Sequence, residues 1–535
     1  MTIETTRRRF IVRTGALAGA SALSGTVLGL AGCGGSDSDA PAIGVSEAER
    51  PKMPSGIQLG DVAGDRAVVW ARSDRRAQLV VEYDTTERFA AARRIAGPVA
   101  TEASDFTGRV ELAGLPAGQS VFVRVRYVDP ADERRASQPV VGQLRTAPGA
   151  GRAVRFVWGG DTAGQGWGIN PEFGGMRIYE TMRARNPDFF VHSGDVIYAD
   201  GPIAAEARAE DGRIWKNIVT PEVSKVAETL AEFRGRYAYN LMDANVRAFN
   251  AAVPQVWQWD DHEVTNNWSS GKDLSADARY TEKDIRTLIA RGAQAFGEYA
   301  PIAPGSPVQA PRIHRKIAYG PLLDVFVVDM RSFRGANSAN LQPAESAATA
   351  LLGNAQLDWL VAELRASSAT WKVIASDMPI GLQVPDGRDA QGSARWEAVA
   401  NGNDGAPSGR ELEIARLLRG IRAVPNVVWI TADVHYCAAH HYAPQRAAFT
   451  DFTEFWEFVA GPLNAGTFGP NRLDATFGPQ VVFEKASPTA NASPFAGYQF
   501  FGEVNIDPLT RALTVELIDV AGVSQYRRTL EPAGV

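Results

Sequence analysis

Four short segments of this 535-residue chain put acidic, imidazole or phenolic side chains at close spacing. They are Gly160-Asp161 within Trp158–Gln165, Gly194-Asp195 with Tyr198, Asp260-Asp261-His262-Glu263 followed by Asn266-Asn267-Trp268, and Asp433-Val434-His435. A single Gly-Asp pair is also ordinary turn or cap chemistry. Four such groups in one region ask for more. Carboxylates gathered into one cleft repel one another and raise each other's pKa unless cations neutralise them. The pattern therefore predicts a two-metal site built from oxygen and nitrogen donors.

Each group follows an apolar run that reads as a strand: Val154–Trp158, Phe189–His192, Val253–Trp259 and Val427–Thr431, with Leu322–Val328 and Trp371–Ala375 in the same style. Helical stretches lie between them. In Gly353–Leu364, for example, Leu357, Leu360, Val361 and Leu364 share one helical face. Strand–helix alternation predicts a layered α/β domain, and in such folds polar chemistry gathers past the carboxyl ends of the strands. Upstream, Arg66–Arg72, Gln78–Tyr83 and Leu115–Tyr127 alternate with period two around Pro-Ala-Gly turns, which predicts a small antiparallel sandwich over residues 51–148 that resembles a fibronectin type III-like or immunoglobulin-like domain. The stretch Thr146–Gly151 marks the boundary, and 149–535 is the metal-bearing domain.

The first fifty residues read as an address. Thr6-Arg7-Arg8-Arg9-Phe10-Ile11 precedes an apolar, small-residue run to Leu30, the layout of a twin-arginine export signal over residues 1–32. Leu30-Ala31-Gly32-Cys33 resembles a bacterial lipobox, with Cys33 as the lipidated residue; an uncleaved anchor is the alternative. Residues 33–50 read as a flexible tether. Both readings place the protein outside the cytoplasm, periplasmic or at the cell surface, held to the membrane through its amino terminus only, with the twin-arginine machinery as its export partner.

Composition narrows the chemistry further. A length of 535 residues favours two or more packed units. A net charge of −6 argues against a nucleic-acid-binding surface, which needs a basic field. Two cysteines, Cys33 and Cys437, are too few for a disulfide scaffold, a zinc ribbon or an iron–sulfur cluster. No Walker-type phosphate loop and no Gly-x-Ser-x-Gly elbow is present.

The ordered series Gly160-Asp161, Gly194-Asp195-x-x-Tyr198, Asp260-Asp261-His262-Glu263-x-x-Asn266-Asn267-Trp268 and Asp433-x-His435 resembles the alkaline phosphatase D (PhoD-type) family of calcineurin-like metallophosphoesterases. The likeness covers most of residues 150–535. It implies mixed sheets flanked by helices, with Asp195 bridging two metals. Where the family often carries a cysteine, this chain has Asp161. Asp161, Asp195, Tyr198 and His435 instead reproduce the iron set of purple acid phosphatases, which implies Fe3+ in a first site. Asp195, Asp261 and Asp433 would hold a second cation, with Asp377 as a further oxygen donor. Related enzymes use Asn and His at the positions of Asp261 and Asp433, so the carboxylates harden this site toward Ca2+, with Mn2+ or Mg2+ possible.

On the same resemblance His262 contacts phosphate, as transition-state stabiliser or general acid. Asn266 and Asn267 bind phosphate or cap a turn, and Arg331 and Arg334 either clamp phosphate as catalytic groups or neutralise buried carboxylates. The implied reaction is phosphate-ester hydrolysis by metal-activated water without a covalent enzyme intermediate. A phosphodiesterase or phospholipase D-like hydrolase and a non-catalytic metal- or phosphate-binding lipoprotein are the alternatives. His192 reads as packed behind the site, and His314, His440 and His441 as surface residues. Tyr198 is expected one helical turn beyond Asp195.

Overall fold

Alternation along the strands divides the core into layers before any loop is considered. Phe156 and Trp158 share one buried cluster while Val157 joins another; Phe189 and Val191 separate from Phe190 in the same way, and Val256 from Trp257. A second set behaves alike: Val325 and Val327 against Phe326, Val373 and Ala375 against Ile374, and Val428 and Ile430 against Trp429. Strands buried on both faces with period-two partition belong in the middle of a layered stack. The computed structural model bears this out and describes residues 45–149, 151–303, 313–389 and 391–534. The expected export signal over 1–32, the expected lipidation position Cys33 and most of the expected tether lie outside the described residues.

Two large sheets face each other. The first has nine strands in the order Ser524–Leu530, Leu513–Asp519, Phe500–Ile506, Val154–Gly159, Phe189–Ser193, Gln255–Gln258, Ile57–Gly60, Ala67–Arg72 and Thr107–Leu112. Its centre is parallel, with Phe190 opposite both Val157 and Gln255. The second has seven, in the order Arg315–Ala318, Leu323–Val327, Trp371–Ala375, Val427–Thr431, Phe455–Val459, Cys437–Tyr442 and Pro479–Lys485, with the second to fifth parallel. Helices Arg177–Ala184, Leu230–Asn240, Ala244–Ala252 and Ile285–Tyr299 contribute to the cluster that includes Phe190 and Trp257. Asn354–Ala366 and Glu411–Ile421 contribute to the one that includes Ile374 and Trp429. The layers run helix, sheet, sheet, helix. Local signals start several helices: Thr229 and Glu232 form a capping box, and Asp243 and Asp284 cap the next two.

Among the described residues, the segment 45–148 is all β, apart from short 3-10 turns. Arg93–Ala100, Ala77–Asp84, Ser120–Asp129, Asp132–Ala136 and Val140–Arg145 form their own five-stranded sheet. Its remaining three strands extend the nine-stranded sheet, joined to the metal-bearing part at the parallel pair Gly60 and Gln255. Buried side chains from both parts, Leu79, Val123, Phe156 and Val325 among them, belong to one cluster. Val45–Val535 accordingly packs as one unit. The first segment props the second by sharing a sheet with it.

Candidate metal centre

Glycines set how closely the strand-end loops approach. A Cβ on Gly160 would sit 2.8 Å from the Ala432 Cβ, and one on Gly194 (φ +92°) would lie 2.9 Å from the Asp260 nitrogen. The residues that follow turn sharply. Asp161 (φ +73°), Asp195 (φ +52°), Asp433 (φ +65°) and His435 (φ +61°) all take the left-handed conformation, which costs a non-glycine residue roughly 1–3 kcal/mol. Strain of this kind persists only where surrounding bonds fix it. Here Thr162 N donates to Asp195 O at 2.9 Å, Asn464 N to Asp161 O at 3.0 Å and Ala432 N to Asp377 O at 2.9 Å.

These turns bring together groups from both sheets. Ligand atoms of Asp161, Asp195 and His435 lie within 4.8 Å of one another, and so do those of Asp195, Asp261 and His262. Asp195 belongs to both groups. The Tyr198 hydroxyl stands 3.4 Å from Asp161 Oδ1 and 2.9 Å from His435 Nε2, so it joins the first group. Tyr198 reaches it through an irregular loop, because residues 194–198 form no helical turn. Gly466 O accepts from His435 Nδ1, which leaves Nε2 facing the acids. Asp433 belongs to neither tight group, although it is close enough to Asp261 and Asp161 to feel their charges. Asp161 Oδ2 and Asp261 Oδ1 are buried without hydrogen-bond partners. Orphaned buried carboxylate oxygens of this kind suit cations, so the residues present fit a metal pair.

The electrostatics point the same way. Burial pushes Asp195 well above the usual carboxylate range, with Asp261, Glu263 and Asp161 adding to it against His262. Burial and the same negative neighbourhood bring Asp433 to about 7. Tyr198 is held as a neutral phenol by burial and by Asp195 and Asp161. Burial disfavours a charged His262, yet Asp200, Asp261 and Asp195 outweigh it and raise the imidazole well above its ordinary value.

Two residues that sequence reasoning left without a role support the constellation. Asp200 Oδ1 lies 2.6 Å from His262 Nδ1, and its Oδ2 accepts from Asn266 N at 2.8 Å. Burial alone would raise Asp200; the His262 charge and hydrogen bond bring it to about 2. With Nδ1 so held, and the ring 4.2 Å from that of Tyr198, His262 Nε2 faces Asp261 Oδ1 at 3.8 Å. Glu263 accepts from the backbone nitrogens of Val196 (2.6 Å), Asp260 (2.8 Å) and Asp195 (3.3 Å), tying two strand ends together. The available signal was position: Asp200 stands two residues past Tyr198, and Glu263 directly after His262.

Other expected site residues fall elsewhere. Arg331 and Arg334, expected as catalytic phosphate clamps or as neutralising groups, take the second role. Arg331 has a side-chain exposure of 0% and pairs with Asp260 and Glu397; Arg334 pairs with Glu397 at 2.6 Å. Asp377 belongs to that network, 3.6 Å from Arg331 Nε, and is raised above its usual range chiefly by burial. Asp260 and Asp261 thus face opposite ways, one to the arginines and one to the metal groups. Asn266 is exposed, while Asn267 donates its backbone N–H to Asp261 and its amide to Asp386 Oδ1 at 2.8 Å. His192 packs behind the site, 3.1 Å from Thr162 Oγ1. His440 is buried, not on the surface as expected, because its strand is interior and Glu457 Oε2 sits 3.0 Å from its Nδ1. His441 is half-buried, its ring 4.8 Å from that of Trp456. Half-buried His314 packs against Trp359. Cys437 is buried and free. Among the described residues no helix is long and apolar enough to cross a membrane.

Comparison with known proteins agrees with this geometry. Residues 156–517 match the family model described as PhoD-like phosphatase, and residues 38–148 match its N-terminal domain. Alkaline phosphatase D of Bacillus subtilis (strain 168) is 27% identical over 508 residues, covering 87% of this chain and 77% of that protein. A solved structure of PhoD superposes with a TM-score of 0.65 at 21% identity, over 90% of this chain and 93% of its own. A purple acid phosphatase from yellow lupin (Lupinus luteus) seeds gives a TM-score of 0.53 at 11% identity, over 90% of this chain and 74% of its own. Those two likenesses establish the fold.

Proposed function

Because this chain belongs to the PhoD-like phosphatase family of phosphoric ester hydrolases, we propose that it cleaves phosphate esters at a pair of cations held around Asp195, outside the cytoplasm. The observation that carries the reading is the sharing of Asp195 between two ligand groups. Asp161, Asp195, Tyr198 and His435 would hold the first cation. A phenolate is a hard anionic donor, which favours Fe3+ there. Asp195 and Asp261 would hold the second, with Asp433, which lies outside the tight group, as a further oxygen donor; these oxygens suit Ca2+, with Mn2+ or Mg2+ as substitutes.

Cations held by these residues would supply a lowered pKa to a water and charge to offset the phosphoryl oxygens. The chain's own groups then divide the remaining work. His262, oriented by Asp200, presents Nε2 to the departing oxygen, where it donates a proton or steadies developing charge. Exposed Asn266 would position phosphate, while Asn267, its amide committed to Asp386, would hold the loop beside Asp261. Arg331 and Arg334 hold the carboxylate network from behind. The twin-arginine signal and a lipid on Cys33 would deliver and tether the enzyme, and the amino-terminal sandwich, which we read as fibronectin type III-like, would brace it.

Purified protein assayed on nitrophenyl phosphate and bis(nitrophenyl) phosphate tests the reading. Turnover of the monoester should vanish with chelator and return with added calcium, and Asp195→Asn, which removes a group proposed to hold both cations, should abolish it. Dominant diester cleavage would redirect the substrate class, and metal-replete protein inactive on both esters would overturn the proposal. A visible tyrosinate-to-iron band lost in Tyr198→Phe, with iron by elemental analysis, would identify the first cation.

A further inference from the structure

Large apolar side chains that stay exposed beside a polar site ask for a ligand. Of the exposed large hydrophobics among the described residues, Phe468 is the one whose ring meets a residue of the constellation: it is 36% exposed, with its centroid 5.3 Å from the His435 imidazole. Single exposed apolar residues are common, so exposure alone means little. What distinguishes Phe468 is the rigidity of its support.

Phe468 N donates to His435 O at 3.3 Å, and His435 Nδ1 contacts Gly466 O in the same loop. On one side Asn491 N donates to Thr467 O at 2.6 Å. On the other, Asn471 N donates to the Tyr436 hydroxyl at 3.2 Å, and Asn471 Nδ2 to Gln383 O at 3.0 Å. That last bond leads to the hairpin Pro385–Arg388 and Ala394–Trp396, whose Asp386 holds the amide of Asn267. One hydrogen-bonded frame therefore runs from the aromatic ring beside His435 to the asparagine bonded to Asp261. The frame holds the ring partly exposed beside His435.

We infer that Phe468 is a substrate-recognition platform on which the alcohol half of the phosphate ester packs, with preference for a flat aryl or heteroaryl ring. The inference rests on the hydrolase reading for the position of the phosphate. It adds a specificity determinant: phosphate binds at the cations, and the ring of the leaving group lies on Phe468. Aromatic pairs gain from offset or tilted contact beyond simple burial, and the benefit here corresponds to about tenfold in affinity.

Non-hydrolysable phosphonates separate recognition from turnover. Calorimetric titration of metal-replete protein with phenylphosphonate and methylphosphonate should show about tenfold tighter binding of the phenyl compound. Phe468→Ala should bring the ratio of the two dissociation constants near one, and Phe468→Trp should restore it. A wild-type protein without phenyl preference, or a preference that survives Phe468→Ala, overturns the platform. Phenyl preference in a protein that turns over no ester would sink the hydrolase reading and leave the platform standing; turnover without phenyl preference does the reverse.

Discussion

Arg331 meets three carboxylates, those of Asp260, Asp377 and Glu397, at full burial, and its charge is committed to them. Removing it would leave those acids uncompensated in the interior. Breaking a buried ionic network in this way costs about 3–5 kcal/mol, so Arg331→Ala should lower the urea midpoint sharply. A loss of substrate affinity at undiminished stability would restore the clamp role instead. The sequence shows a guanidinium after a strand; it does not show that Glu397, 66 residues away, waits for it. Asp200 poses the opposite case, since its carboxylate fixes the ring of the group proposed to assist the leaving oxygen. Losing a partner that orients an active-site histidine lowers activity by about 10–100-fold. Asp200→Asn should therefore reduce kcat on that scale. The reduction should be greater for alkyl phosphates, whose alkoxides need the proton, than for nitrophenyl phosphate. Equal loss on both esters would argue that Asp200 serves metal binding alone.

The strands were legible as elements because a run buried on both faces carries its own length and period: Trp371–Ala375 and Val427–Thr431 occur with the bounds read from sequence. The groups past their ends were legible as well, since Gly-Asp at a strand terminus is a local pattern. Connections between distant elements were not. The pairing of Gly60 with Gln255, which makes the amino-terminal strands part of the large sheet, leaves no local trace. Nor does the irregular course from Asp195 to Tyr198, where a helical turn was expected. Glu263 shows how such distant ends are locked, by accepting three backbone N–H groups from the loops after two strands. Each buried donor left unsatisfied costs about 1–3 kcal/mol. Glu263→Ala should thus lower the melting temperature and weaken metal binding together, the second read by titration with calcium and by retained iron. Glu263→Gln, which keeps an acceptor oxygen, should fall between. Metal affinity unaffected in Glu263→Ala would show that the loops hold their geometry without the clamp.

At the scale of the whole molecule the site is a seam. Asp161, Asp195 and Asp261 extend from the nine-stranded sheet, while Asp433 and His435 extend from the seven-stranded one. Cations bound between them would act on folding, because a ligand that binds only the native state stabilises it by mass action. The pH dependence of the metal-free protein follows from the same groups. Asp195 is raised well above its usual range, and Asp433 and Glu263 to about 7, so between pH 4 and 7 the folded chain keeps protons that the unfolded chain has released. Stability then falls as pH rises across that window. His262 and His435, both raised, contribute stability that is present below their unfolded value near 6.5 and lost as pH climbs through their folded values, which extends the fall upward. Asp200, held at about 2, works in the opposite sense but only below pH 4. Cations bound there would keep the carboxylates ionised in the folded state and remove the proton uptake that drives the loss. Calorimetric melting temperatures of chelator-treated protein should therefore decline steadily from pH 5 to 8, while metal-loaded protein stays nearly level, the gap between them widening toward alkaline pH. Two profiles that run parallel would mean that the carboxylates are not the groups the cations neutralise.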